Sequence, residues 1–225
     1  MKKLILVCLI AILALSLLNA NAIATLAAYK GKLSIQRGSS QLKYKNGELL
    51  MNKDLLKTGD ESFAAYKYAD ASTTVKMFAN SIVTLSANKN GKQLDKSVDI
   101  KQGKVHSSIQ KGKGSFQVIT PTTVASVKGT EFFTQVEDNG RSTFVVSDGE
   151  VEVRILATDE VARVGKGKTA IISPSGELLL RDTMSGDLSQ IEEAELEAEG
   201  SAEPRKIRIP MLDEFGNLKY IEISY

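Results

Sequence analysis

Glu150-Val151-Glu152-Val153-Arg154-Ile155 alternates a charged with a branched apolar residue at every position. In an extended chain successive side chains point to opposite sides, so Val151, Val153 and Ile155 share one face and the charges share the other. A helix would scatter both sets around its circumference, so the segment reads as a strand with one buried and one solvated side. Asp148-Gly149 stands directly before it, Asn139-Gly140 precedes that, and Asn46-Gly47 lies far upstream. Such pairs tolerate the positive φ that tight hairpin turns require. Pro174-Ser175-Gly176, between Ala170-Ile171-Ile172 and Leu178-Leu179-Leu180, predicts a further reversal. The alternation recurs in Lys32-Leu33-Ser34-Ile35-Gln36. From Leu26 to about Arg181 the expectation is therefore one all-β domain of roughly a dozen short, mainly hairpin-linked strands. Period two leaves open whether the sheet closes, stacks or coils.

Past this domain the pattern changes. Leu188, Ile191, Ala194 and Leu196 fall near helical spacing between Asp187 and Glu199, with Asp187 placed to stabilise the start and Gly200 to end the helix. Lys206-Ile207-Arg208-Ile209 alternates, Phe215-Gly216-Asn217 punctuates, and Tyr220 to Tyr225 reads as a last strand. The chain thus divides into residues 1–22, a β domain over 23–183, and an acidic helix with a C-terminal hairpin over 184–225. Residues 23–186 hold 23 basic and 17 acidic side chains, a net of +6, whereas 187–225 hold 4 and 10, a net of −6. Opposite charges predict that the tail folds back on the body. Exposed ion pairs are individually weak, so an apolar face of Leu188, Ile191 and Leu196 is expected to supply most of the docking energy. The hairpin, barely stable alone, is expected to dock on the body or on a partner.

At the N-terminus Lys2 and Lys3 precede an uncharged apolar run from Leu4 to Leu18, followed by Ala20-Asn21-Ala22. A positive start, an apolar stretch and small residues at the positions a signal peptidase reads form a secretory signal peptide over residues 1–22. The alternative is an uncleaved anchor, because no charge follows until Lys30. Either reading exports the remainder, since the positive flank stays inside. The expected location is periplasmic or secreted, with membrane contact only if the segment is retained. Cys8, the only cysteine, lies in the apolar run, so the mature chain is expected to lack thiol chemistry. Val7 and the short stretch from Leu4 to Val7 do not give it the context of a lipidation signal. Losing Lys2 and Lys3 lowers the basic count from 29 to 27, equal to the 27 acidic residues. Without clustered arginines interleaved with aromatics, nucleic acid is not an expected partner.

Read in order, the strands reach Phe116-Gln117-Val118-Ile119-Thr120-Pro121 and then Val124-Ala125-Ser126-Val127-Lys128-Gly129-Thr130-Glu131-Phe132. This resembles the signature of the FecR domain family, in which a Thr-Pro leads into a small-residue strand ending in Gly-Thr before a phenylalanine. Leu56-Lys57-Thr58-Gly59-Asp60 resembles the family's Gly-Asp turn, and Ile100-Lys101-Gln102-Gly103-Lys104-Val105 resembles its Gly-centred strand. Thr143 to Val151, around Gly149, resembles its hairpin. The resemblance covers roughly Ala28 to Ile172. It implies an extracytoplasmic all-β binding module whose partner is a protein or a cell-envelope polymer. In the family's best-known architecture that module is the outer part of a transmembrane anti-sigma regulator that senses an outer-membrane transducer. With three residues ahead of the apolar run, no cytoplasmic sigma-binding part is expected here, and the regulator function is not carried over. Gly59, Asp60, Gly103, Thr120, Pro121, Gly129, Thr130, Phe132 and Gly149 form the matched signature. Each has a structural reason: Pro121 fixes φ and extends Thr120, and glycines suit turns or close backbone approach.

The remaining residues offer no catalytic set with a recognisable spacing. His106, the only histidine, falls on the polar side of Lys104-Val105-His106-Ser107-Ser108-Ile109, where an exposed strand histidine is expected in place of a general base. One histidine and no mature cysteine do not make a zinc site. Glu137, Asp138 and Asn139, or Asp148 and Glu150, lack calcium-loop spacing and read as turn chemistry. Gly165-Lys166-Gly167-Lys168 lacks the full spacing of a phosphate loop. No carboxylate pair stands out for glycoside cleavage. The expectation is a non-enzymatic protein with no cofactor. The lysines at 89, 92, 96, 101, 104, 111 and 113 read as a solvated face that an anionic partner could use.

Overall fold

The computed structural model describes residues 22–199, 206–212 and 218–224; the signal-like segment and residues 200–205 lie outside that set. Nineteen strands, numbered in chain order, and one helix are present among the described residues. Seventeen of the strands build two layers. The front sheet runs β4 (Leu49–Met51), β1 (Ala22–Lys30), β6 (Phe63–Tyr68), β7 (Thr73–Met77), β9 (Gln93–Ile109), β12 (Glu131–Val136), β13 (Ser142–Asp148), β16 (Lys168–Ile172), β17 (Leu178–Asp182). The back sheet runs β3 (Ser40–Gln41), β2 (Leu33–Arg37), β5 (Leu55–Thr58), β8 (Ile82–Asn90), β9, β10 (Phe116–Ile119), β11 (Thr123–Val127), β14 (Glu150–Ile155), β15 (Val161–Gly165). Every pairing is antiparallel except β9 with β10.

Strand β9 belongs to both layers. Up to Gln102 it pairs with β8 and β10 at the back, and from Gly103 onward with β12 and β7 at the front. The change of layer falls on a residue with φ +102°, where the backbone and side chain of Ser81 already occupy the space of a β-carbon. Only glycine combines that conformation with that approach. Ser81 Oγ accepts the Lys104 N–H at 3.0 Å, which fixes the bend.

Alternation sorts each strand between core and solvent. In β14, Val151, Val153 and Ile155 are buried and Glu150, Glu152 and Arg154 are exposed. The two inner faces meet through large side chains: Tyr68 of the front sheet lies edge-on to Phe116 of the back sheet, with centroids 6.4 Å apart. Its hydroxyl donates towards the carbonyls of Ser97 (3.0 Å) and Ser86 (3.3 Å) on back-sheet strands, so the polar tip of a fully buried ring is satisfied. Lys96, counted above with a solvated lysine face, is instead buried in the core. Its Nζ donates to Asp70 Oδ2 (2.6 Å), Ser72 Oγ (2.9 Å) and the Lys113 carbonyl (2.8 Å), all three of an ammonium's donors. It falls on the inward side of β9 with Val98 and Ile100, a placement set by strand register.

After β9 the chain advances in hairpin-sized steps: β10 and β11 at the back, β12 and β13 at the front, β14 and β15 at the back, β16 and β17 at the front. Asn139-Gly140 and Pro174-Ser175-Gly176 close true hairpins. Asp148-Gly149 does not, because β13 pairs with β12 and β16 whereas β14 pairs with β11 and β15. The turn carries the chain across the sandwich. Asn46-Gly47 likewise joins the back-sheet β3 to the front-sheet β4. A positive-φ pair reverses the backbone locally, but the partner of the next strand is chosen by which inner face still needs covering.

Helix α1 (Ser185–Glu199) makes a third layer on the front sheet. Asp187 stabilises its start by reaching back to accept the Met184 N–H at 2.9 Å. The tail strands β18 (Lys206–Leu212) and β19 (Leu218–Ser224) pair antiparallel, with Ile209 opposite Ile221, as the hairpin reading expects.

Candidate functional site

The signature residues fall at two junctions between the layers. At one, Thr120-Pro121-Thr122-Thr123 forms the β10–β11 turn, with the Thr120 N–H on the Thr123 carbonyl at 2.9 Å. Thr120 Oγ1 accepts the N–H groups of Thr122 (3.3 Å) and Thr123 (3.0 Å). Ser142, on the front sheet, receives the Thr122 hydroxyl at 2.8 Å and donates to Thr120 Oγ1 at 2.9 Å. At the other junction, the chain crosses to β12 through Gly129 (φ +73°) and leaves β13 through Gly149 (φ +84°). The crossings touch: a β-carbon on Gly149 would lie 2.8 Å from Thr130 Oγ1, and that hydroxyl donates to the Glu150 carbonyl at 3.0 Å. Phe132 points into the core. Gly103 is the layer switch of β9. Gly59 has ordinary φ but packs its backbone against Lys32, and Asp60 accepts from Asn80 Nδ2 at 3.0 Å.

The outward front face is different in kind. Cross-strand register puts Arg181, Thr169, Val145, Phe133, His106 and Lys76 in one row over six strands. Helix α1 lies across this row and meets it through Asp187, Ile191, Ala194 and Glu195, a spacing that keeps one side of a helix facing down. Arg181 grips Asp187 through two hydrogen bonds of 2.6 and 2.9 Å, and Thr169 adds a third at 3.2 Å. The guanidinium holds the Asp187 carboxyl at a pKa of about 2, against the opposing effect of burial. In the middle, Ala194 is buried and Ile191 half-buried against Phe78, Phe133, Val145 and Phe63. Leu188, expected in the docking face, is exposed, because the helix is rotated to bring its two acidic anchors over Arg181 and His106. Leu196 lies outside the residues whose side chains are described.

His106 also departs from the expectation of an exposed strand histidine. The helix covers it, leaving its side chain 13% exposed between two carboxylates: Nδ1 is 2.9 Å from Glu195 Oε1 and Nε2 is 3.2 Å from Glu131 Oε1. Lys76 Nζ approaches the same Glu195 oxygen at 3.4 Å. Sequence reasoning placed His106 on the outer side of its strand correctly but had no means of seeing what would lie on top of it.

Beside the C-terminal half of α1 the front face opens into a groove of about 730 Å³, bordered by Phe78, Asn80, Lys104, Gln135, Asp138 and Ala194. Lys104 is the one member of the lysine-rich stretch that reaches it; Lys89, Lys92, Lys101, Lys111 and Lys113 are exposed elsewhere. Glu137, Asp138 and Asn139 form the turn at its rim, where Asn139 Oδ1 accepts the Arg141 N–H at 2.8 Å.

Residues 54–152 match the model of the FecR protein family. That stretch is similar to a FecR domain. The FecR match runs from the β4–β5 turn into β14 and contains all nine signature residues, a narrower span than the Ala28 to Ile172 of the sequence resemblance. Two crystal structures of a candidate anti-sigma factor from Parabacteroides distasonis, at 1.65 and 2.50 Å resolution, are similar in fold to this chain. They superpose with TM-scores of 0.51 and 0.52 at 16% identity, covering 76% of this chain and 84% of theirs. No curated protein matches the chain.

Proposed function

We propose that this protein is an exported, non-enzymatic FecR-domain module that binds a protein or cell-envelope partner outside the cytoplasm, using the front face around α1. The observation that carries the reading is the groove beside α1. It combines an aromatic floor at Phe78 with a cation, a carboxylate and amide groups at its rim, the mixture that recognises a polar macromolecule without transforming it. An anti-sigma factor works by protein contact, so that description of the structural neighbours favours a protein over an envelope polymer. The signature residues serve to hold the two layers together, which leaves the front face free to vary its contacts.

Export rests on the N-terminal segment. In the fold Ile23, Ala24 and Leu26 are core residues of β1, which supports a signal or anchor segment ending before them. Photo-crosslinking from Gln135 in intact cells tests the partner: a discrete adduct, lost when Lys104 and Asp138 are replaced together, supports the reading, and a bond-breaking activity traced to the purified protein ends it. Mass spectrometry of the mature N-terminus tests the location. A chain starting near Ile23 is released, one retaining Met1 is an anchored envelope protein, and recovery of the mature chain from the cytosol refutes export.

A further inference from the structure

The chemistry of the His106 contacts goes beyond partner binding. A carboxylate accepts hydrogen bonds and has none to donate, while a neutral imidazole carries a single N–H. With a carboxylate oxygen at each ring nitrogen, a neutral ring satisfies one contact and turns a lone pair towards an oxygen in the other. The imidazolium satisfies both. Among the described residues, the groups facing it are Lys76 from β7, Glu131 from β12 and Glu195 from α1. Along β9 itself the nearest charged residue is Lys104. With His106 protonated the set of His106, Lys76, Glu131 and Glu195 is neutral; without that proton it carries an extra negative charge beneath an acidic helix.

We propose that His106 is a proton-dependent clasp for the C-terminal half of α1, closed when both ring nitrogens carry protons and loosened when one proton leaves. The N-terminal half stays fixed, because Arg181 and Asp187 keep their charges on both sides of the transition. Loosening lifts Ala194 and Ile191 from Phe78, Phe133 and Val145 and widens the groove that Ala194 borders. The front face is thus covered while both ring nitrogens hold protons and uncovered once one of them is lost. The consequence for a partner rests on the binding reading above; the clasp does not, and its test uses no partner.

The chain has one histidine, so its ring signals are unambiguous in the intact protein. In the closed form the ring ¹⁵N shifts should show two protonated nitrogens. Amide exchange over residues 190–195, corrected for intrinsic rates, should lose about tenfold protection between roughly pH 5.5 and 8.5, while 185–189 stay constant. His106→Gln should sit at the wild-type high-pH level at both values. Glu131→Gln, at a more exposed position that leaves helix packing intact, should shrink the step. Equal wild-type protection at both pH values, or a full step surviving in His106→Gln, overturns the proposal.

Discussion

Ser142 Oγ donates to Thr120 Oγ1 at 2.9 Å, joining the first residue of a front-sheet strand to a back-sheet turn through two buried hydroxyls. With Thr122 donating to Ser142 and Thr120 lying 2.8 Å from Thr123 Oγ1, four hydroxyls form one chain in which Ser142 is a central link. Ser142→Ala leaves the Thr122 hydroxyl only its longer, 3.4 Å contact with Thr120 Oγ1 and removes the donor to Thr120. Buried groups left without partners lose more than the net value of the bond, so a loss of about 2–3 kcal/mol is expected in urea unfolding. An unchanged midpoint would show that water replaces the link.

Gly103→Ala and Gly47→Ala separate strain from collision. Both glycines have positive φ, but Gly47 faces open space and Gly103 faces Ser81. Gly47→Ala should cost about 1 kcal/mol from backbone strain alone, while Gly103→Ala should cost more than about 3 kcal/mol because β9 must also move away from Ser81. Equal thermal shifts would remove the layer-switch account.

The buried Lys96 and its partner Asp70 should respond unequally. Asp70→Ala leaves an ammonium in the core and is expected to destabilise by about 3 kcal/mol or more. Lys96→Met fills the same space without a charge and leaves Asp70, whose side chain is 25% exposed, in reach of water. It should cost clearly less, and denaturation of the two variants decides the order.

Asp187 predicts part of the acid profile. Its folded pKa, about 2, lies below the ordinary carboxylate value, so the folded state binds the proton more weakly than the unfolded state. The stability it contributes is fully present above about pH 4 and is lost as pH falls towards 2. Asp187→Asn should therefore lower the melting temperature at pH 6, with the gap to wild type closing between about pH 4 and 2. A gap independent of pH would assign the effect to packing of α1.

The strands were legible because burial of one face imposes period two on the sequence: Val151, Val153 and Ile155 all occupy the core. The FecR stretch was legible because Thr120-Pro121, Gly129-Thr130 and Gly149 meet local demands for a capped turn and two tight crossings. The roles of Asp148-Gly149 and Asn46-Gly47 were not, since a turn signal says that the chain reverses but not which sheet receives the next strand. The front face was read only in part. Ile191 and Ala194 fit helical spacing, but Leu188 was placed in the docking face because apolar character alone cannot report rotation about the helix axis.

The sequence by itself determined an all-β body, its family signature and an acidic helix after it, since these follow from periodicity, backbone preference and local charge. Only the tertiary structure decided that β9 serves two sheets, that Lys96 is buried, and that Glu131 and Glu195 meet on His106. Such facts join residues far apart in the chain, and they are set by strand register and helix docking, which no local pattern encodes.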